Sequence, residues 1–344
     1  MSLPSANRNL PPAARPPLPL LITGIAGVAG YNALNYFRAR YGDAVVGIRQ
    51  ENNWPMQEPG MVACDAEDYD GLRRLFDQHQ FAAVLNCAGN CALKPCELDP
   101  QMAQRTNVQG VETLLRVIEG TDTRLLHLSI DLVYSGKGSG GYVEDDPTDP
   151  VTVYGRTMVE AERLLLDERP AAAQLRLSLP MGTGFNGHAG ALDWIRARFA
   201  KSKPATLYYD EVRTPAYTDC LNELFEQVLA GDLAGLFHAG GPRRLSLYEI
   251  AQVINRVGGY DPRLLMGCPR IDAGPIPPRA GNVTIDSSKL AGALGYEPLD
   301  PWPLDEQFVP THRRWHEERP AGEGGSPELL AEVLSSNPAR RHVA

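Results

Sequence analysis

The sequence predicts an α/β fold, a doubly wound parallel sheet with helices on both faces, followed by a smaller C-terminal α/β domain. Three observations predict it. Short apolar runs alternate with helical stretches from residue 18 to about residue 180, which is the pattern of βαβ units. A glycine run, Gly24-Ile-Ala-Gly27-Val-Ala-Gly30, stands at the first strand–helix junction. The 344 residues are 43% apolar and 22% charged, an ordinary globular composition with chain enough for a core without disulfide or metal staples.

Residues 1–17 are rich in proline, lack an apolar period and are expected to form a disordered tail. Leu18–Thr23 is a buried strand, and the helix after the glycines brings Val28, Leu34 and Phe37 near one face. Ala44–Ile48 is the next strand. Asp68–Gln78 is helical, with Leu72, Leu75 and Phe76 at i, i+3 and i+4. Ala82–Cys87 is a strand, Pro100–Glu119 a helix, Arg124–Ser129 a strand, Thr157–Glu168 a helix and Gln174–Leu179 a strand. Right-handed crossovers then favour a doubly wound sheet.

Beyond residue 180 the pattern loosens. A glycine-rich loop spans 182–190, Ala191–Ala200 and Cys220–Ala230 are helical, and Leu245–Val257 is an amphipathic helix that Ser246 can cap. Pro327–Leu334 is a short helix in a polar stretch. The expected organisation is a tail (1–17), a dinucleotide-binding domain (18–180, with return segments from about 212–242), a substrate-binding domain (181–310) and a C-terminal extension (311–344).

The charge balance, 33 Lys plus Arg against 42 Asp plus Glu, gives −9 and argues against a nucleic-acid or anionic-membrane surface. No run approaches the roughly 18 apolar residues of a membrane span, and no signal-peptide pattern opens the sequence, so a cytoplasmic location is expected. Cys64, Cys87, Cys91, Cys96, Cys220 and Cys268 show no paired CxxC spacing. They are expected to be reduced thiols, and no metal is expected.

The glycine spacing carries the first chemical inference. Glycines at a strand–helix turn let a pyrophosphate approach the backbone, and the helix N-terminus faces its charge. Gly24, Gly27 and Gly30, with Val28 and Ala29 between them, are therefore candidate cofactor contacts. The second strand ends in Arg49, suited to a ribose 2′-phosphate, so NADP(H) is favoured and NAD is the alternative. Asp65, with Ala66 beside it, stands where a carboxylate can accept the adenine amino group. Cys87, Gly89 and Cys91 end the fourth strand, beside the expected nicotinamide.

More specific segments follow: Asn86-Cys-Ala-Gly with Glu97-Leu-Asp-Pro, Thr106-Asn107-Val-Gln-Gly, Ser129-Ile-Asp-Leu-Val-Tyr-Ser-Gly with Glu144-Asp-Asp-Pro, and Tyr154-Gly-Arg-Thr-Met-Val-Glu-Ala-Glu. The second half adds Arg213-Thr-Pro-Ala-Tyr-Thr-Asp219, Phe237-His-Ala-Gly-Gly-Pro242 and Asn282-Val-Thr-Ile-Asp-Ser-Ser-Lys-Leu. From Leu20 to about Pro303 the chain resembles the extended short-chain dehydrogenase/reductases, and within them the dTDP-4-dehydrorhamnose reductase branch. That branch also includes the NADP-binding regulatory β subunit of methionine adenosyltransferase. The resemblance implies a Rossmann domain plus a small substrate domain, with the substrate in the cleft between them and a homodimer as the expected assembly.

The resemblance also implies a catalytic set, and here the sequence departs from it. The family uses Tyr-x-x-x-Lys on one helix face and a Ser or Thr at the end of the fifth strand. Tyr154 matches the Tyr, but Met158 occupies the Lys position and Ile130 the Ser/Thr position. Ser129, one step away, is the nearest hydroxyl and a candidate catalytic group, although successive strand side chains point to opposite faces. Met158 would lie against the nicotinamide ribose without charge or donor. Without a cation, Tyr154 is expected to remain a phenol, able to protonate a developing alkoxide but a poor base. Arg156 points off that face. Asn107 matches a structural Asn near the active site, His127 reads as a core residue, and His188 is a substrate-loop candidate. Arg213 is open between a substrate-phosphate contact and an interdomain ion pair; Tyr217 and Asp219 belong to the same segment.

The expected function is therefore an NADP(H)-dependent reductase of a keto group in a nucleotide sugar or a related small molecule. The alternatives are a non-catalytic NADP-binding regulatory subunit of a partner enzyme, and a cofactor-assisted epimerase or dehydratase.

Overall fold

The computed structural model describes residues 15–53, 55–185, 187, 190–319 and 324–340. The expected tail over 1–17 therefore lies almost wholly outside the described residues, as does His188. Seven parallel strands form the central sheet. They are β1 (Leu20–Ile22), β2 (Val45–Arg49), β3 (Met61–Ala63), β4 (Ala83–Asn86), β5 (Arg124–Ile130), β6 (Ala173–Leu177) and an edge strand, Gly235–Ala239. Their order is edge strand, β6, β5, β4, β1, β2, β3. The chain leaves β1 in one direction and returns beside it at β4, so the strand order reverses between them. That reversal opens a crevice at the strands' C-terminal ends.

Apart from β3, the strands are largely buried and mostly apolar because helices cover both faces. Helix α1 (Val28–Tyr41) buries Val28, Leu34 and Phe37, and α2 (Tyr69–His79) buries Leu72, Leu75 and Phe76. Asp68 caps α2 by accepting from the Gly71 amide at 3.0 Å. The single helix expected over 100–119 is instead broken. Asp99 caps a fresh start at Pro100, a π turn spans Arg105–Gln109, and Gly110–Val117 resumes the α-helix. Such turns are rare and recur at functional sites, and Asn107, inside this one, bonds outside its own helix. The helix carrying Tyr154 runs Val153–Glu168 and starts earlier than expected, because Thr152 accepts from the Gly155 amide at 2.9 Å. Helix Thr218–Ala230 packs on α1 and leads into the edge strand.

The second region is built from short pairings. Ala205–Tyr208 runs parallel to Leu265–Cys268, and Leu245–Ser246 antiparallel to Val212–Arg213. Ser246 caps helix Leu247–Val257 in a full capping box with Glu249.

The C-terminal stretch is not the polar appendage expected. Leu330 and Leu334 are wholly buried and Trp315 nearly so. The Trp302 indole donates to the Leu334 carbonyl at 2.8 Å. Asn337 donates to Asp300 at 2.5 Å, and its amide donates to Asp219 at 3.0 Å. The helix expected over Pro327–Leu334 forms over those residues and supplies the buried leucines that dock this strap; the polar average of the segment gave no sign of the docking. Among the described residues, no helix is long and apolar enough to cross a membrane.

A charged network lies beneath the Tyr154 helix. Arg176 donates through Nε and Nη2 to the two Glu162 oxygens at 2.8 and 2.7 Å, and through Nη1 to the Tyr134 hydroxyl at 2.6 Å. That hydroxyl lies 3.0 Å from His238 Nε2. His127, elsewhere on the sheet, lies with Nδ1 3.0 Å from the Asn86 amide nitrogen.

Burial holds the pKa of His127 and of His238 down at about 4, the Arg176 charge adding to the effect at His238. A folded pKa below the unfolded value of about 6.5 means stability that is complete above that value and lost as pH falls toward 4. Denaturation midpoints should therefore decline between pH 6.5 and 4, each histidine contributing up to about 3 kcal/mol. A midpoint unchanged across that window would contradict this account.

Candidate cofactor and active site

The glycine turn sits at the sheet crevice. Gly24 has φ +64°, and a Cβ there would lie 2.2 Å from the Cys87 carbonyl oxygen, so the ends of β1 and β4 touch through backbone. Gly27 differs. Among the described residues, a Cβ on it would meet only the Gly24 carbonyl oxygen, at an ordinary 3.5 Å. The packing of the described residues leaves room for a Cβ there, and that position is the N-cap of α1, where helix amides favour an anion. Val28 is buried against the loop after β6, where a Cβ on Gly190 would come within 2.6 Å of it. Asn32 of α1 donates to the Thr183 carbonyl at 2.9 Å, fastening that loop over the turn.

Arg49 ends β2 as expected, but its guanidinium is engaged. Nε donates to the Met56 carbonyl at 2.6 Å, and Nη1 to the Gln50 carbonyl at 2.9 Å. The same loop is held by Asp65, whose Oδ1 accepts from the Glu51 amide at 3.0 Å. Arg49 and Asp65 thus frame one loop at the end of β2 and β3. Ala66 lies behind it, close to Gly110.

At the end of β4, Cys87 is half-buried, while Gly89 and Cys91 are exposed. Burial pushes the Cys87 thiol up, so it behaves as a neutral wall. Asn107 braces this loop, accepting from the Asn90 amide at 2.6 Å and donating to Thr157 at 2.8 Å. Thr157 in turn donates to the Tyr154 carbonyl at 2.8 Å. The Asn107 amide is therefore tied to the Tyr154 helix itself.

Tyr154 is nearly buried. Burial pushes its phenol well above the usual tyrosine value, with Cys91 and Asp131 adding to the effect and Arg213 opposing it. Met158 lies buried in the same apolar cluster as Tyr154, with Leu132, Val133 and Ile285, and Ile130 packs against that cluster. The two replaced positions therefore border one apolar wall. Arg156 is exposed on the helix and donates weakly to the Val151 carbonyl at 3.4 Å.

Ser129 does not stand in for the missing hydroxyl. It is buried and donates to Glu162 at 2.5 Å, inside the network under the helix. The strand is regular there, so its side chain leaves on the face opposite Ile130.

The open alternative at Arg213 resolves to an ion pair. Arg213 Nε and Nη2 donate to the two Asp131 oxygens at 2.7 and 2.5 Å, and Ser178 donates to the same carboxylate at 2.5 Å. Nη1 lies 3.9 Å from buried Glu211, which lies 3.6 Å from Arg279. Sequence reasoning missed Asp131, although a carboxylate ending an apolar strand is a signal of pairing. Tyr217 accepts from the Leu304 amide at 2.9 Å, and Asp219 from Asn337, so both serve packing.

The RmlD substrate binding domain model matches residues 19–305, and the chain belongs to that family. A dTDP-4-dehydrorhamnose reductase of Mycolicibacterium smegmatis is 27% identical over 82% of this chain and 82% of its own length. Methionine adenosyltransferase 2 subunit beta of Danio rerio is 24% identical over 79% of this chain and 83% of its own. Among solved structures, a Bacillus anthracis dTDP-4-dehydrorhamnose reductase in complex with NADP superposes with TM-score 0.71 at 16% identity, over 82% of this chain and 95% of that one.

The two glycines should separate by experiment. Gly24→Ala should lose about 2 kcal/mol or more of stability through strain and backbone collision. Gly27→Ala should stay within about 1 kcal/mol of the parent in chemical denaturation. Equal losses would remove the argument for ligand space at Gly27.

Proposed function

From membership of this family, we propose that the chain binds NADP(H) in the crevice and reduces a keto group, of a nucleotide sugar or a related small molecule, with Tyr154 as its proton donor. The observation that carries the reading is the glycine turn at the α1 N-terminus, where Gly27 is free of close contacts among the described residues, next to the crevice where β1 and β4 diverge. The NADP complex of the Bacillus anthracis relative supports the choice of cofactor. In this reading residues 18–180, with the return through 212–242, hold the cofactor, and residues 181–310 hold the substrate. Gly24, Gly27, Val28, Ala29 and Gly30 cradle the pyrophosphate, Arg49 meets the 2′-phosphate and Asp65 and Ala66 the adenine. Cys87, Gly89, Cys91 and Met158 surround the nicotinamide ribose. NAD is the alternative cofactor.

The bound cofactor supplies hydride. Tyr154 keeps its proton until a carbonyl oxygen beside it gains negative charge, and then donates it. Burial keeps the hydroxyl protonated through neutral pH, so the group acts as an acid and not as a base. Ile130 and Met158 contribute apolar surface that excludes water from the reacting oxygen. They leave Tyr154 as the only member of the family's catalytic set, so turnover is slow and runs toward reduction.

One observation favours a second reading. The positions of the missing Lys and Ser/Thr are taken by apolar side chains, Met158 buried in the cluster and Ile130 partly buried against it. That suits a cofactor-binding regulatory subunit, the description its Danio rerio relative carries.

Purified protein should consume NADPH with keto sugar nucleotides, and Tyr154→Phe should lower that rate about 100-fold or more. Met158→Lys with Ile130→Thr should raise it. Tight NADPH binding without turnover across a broad carbonyl panel would replace the reductase reading with the regulatory one. Arg49→Ala should weaken NADPH binding about tenfold and leave NADH unchanged; equal effects on both would remove Arg49 from the 2′-phosphate.

A further inference from the structure

The Asp131–Arg213 pair ties the turn beside Tyr154 to the short strand Val212–Arg213. Asp131 opens the 3₁₀ turn Asp131–Val133 directly after β5, and Arg213 stands on the short strand that pairs with Leu245–Ser246 in the second region. Both side chains are almost wholly buried. The turn is pressed against the Tyr154 helix: a Cβ on Gly155 would lie 2.3 Å from the Leu132 carbonyl oxygen. Leu132 and Val133 of the same turn pack in one cluster with Tyr154. The floor under Tyr154 is therefore set by a turn whose only charged side chain is clamped by Arg213.

Building on the reductase reading, we propose that Asp131 and Arg213 are positioning residues: Arg213 grips the turn that seats Tyr154, so the ion pair sets the height and direction of the Tyr154 hydroxyl. Arg213 is then not a substrate contact. Its two forked donors are spent on one carboxylate, and its third nitrogen faces Glu211. Charged and titratable groups that act on Tyr154 include Cys91 and Cys96 from the loop and helix after β4, Asp131 from the turn and Arg213 from the strand Val212–Arg213. Burial pushes the Asp131 carboxyl up, and Arg213 and Ser178 pull it back. Loss of either partner disturbs the charge beside Tyr154 as well as its seat.

The test compares Arg213→Gln, Asp131→Asn, their combination and Arg213→Lys, each first checked for NADPH binding. Each single change should lower kcat about tenfold or more with KM within about threefold, and the double variant should be no worse than the poorer single one. Arg213→Lys, which keeps the charge but not the fork, should fall between. A raised KM with kcat preserved in Arg213→Gln, and no effect of Asp131→Asn, would make Arg213 a substrate contact and overturn the proposal. Ring-labelled tyrosine spectra give a readout that needs no turnover, with Tyr154 assigned by Tyr154→Phe. Both single changes should move its resonance, and unmoved resonances would also overturn the proposal. A parent protein that consumes no NADPH would defeat the reductase reading alone, leaving the spectra to judge the pair.

Discussion

The Glu162–Arg176 ion pair fastens the helix that carries Tyr154 to the sheet, and much of the site depends on it. Both residues are buried, and both Glu162 oxygens receive a guanidinium donor. Removing one partner of such a pair costs about 3–5 kcal/mol, because the other charge is left uncompensated. Helix and sheet are thereby fixed against each other, and Tyr154 stands roughly two turns along the same helix from Glu162. The pair also claims Ser129. A hydroxyl that supports a buried carboxylate from one face of β5 is withdrawn from chemistry on the other. Tyr134 and His238 extend the network to the edge strand, which joins the sheet by parallel pairing with β6.

The alternation of strands and helices was legible because a sheet covered on both faces demands continuous apolar runs. The glycine turn was legible because backbone contact between β1 and β4 excludes a side chain at Gly24. Two features were not. The π turn around Asn107 depends on a tertiary bond to Thr157, which no local propensity reports. The partners of Asp131, Glu162 and Arg176 lie far away in sequence, so the charges could be noticed but not paired. At Arg213 the residue alone allowed two roles. What settled it was the carboxylate that folding brought beside it.

The departures from the family's catalytic set also make physical sense together. A lysine at position 158 would need a counter-charge or water in a region where Leu132, Val133, Ile285 and Met158 now pack. Threonine at position 130 would face the same apolar surroundings. Changing one position without the other would leave a polar group poorly matched to its neighbours. The pair of replacements instead makes a consistent apolar wall beside a single phenol.

The docked C-terminal strap bears on where the protein can be cut. The family match ends at residue 305, yet Trp302, just inside that limit, is covered by Leu334 from the strap. Asn337 reaches back to Asp300 and Asp219 in the same way. A fragment trimmed to the family's length would uncover an indole and the apolar face of helix Leu247–Val257 at once. Such a surface invites self-association in the test tube. The boundary useful for expression and crystallisation therefore lies some thirty-five residues beyond the one that sequence similarity suggests, at about residue 340.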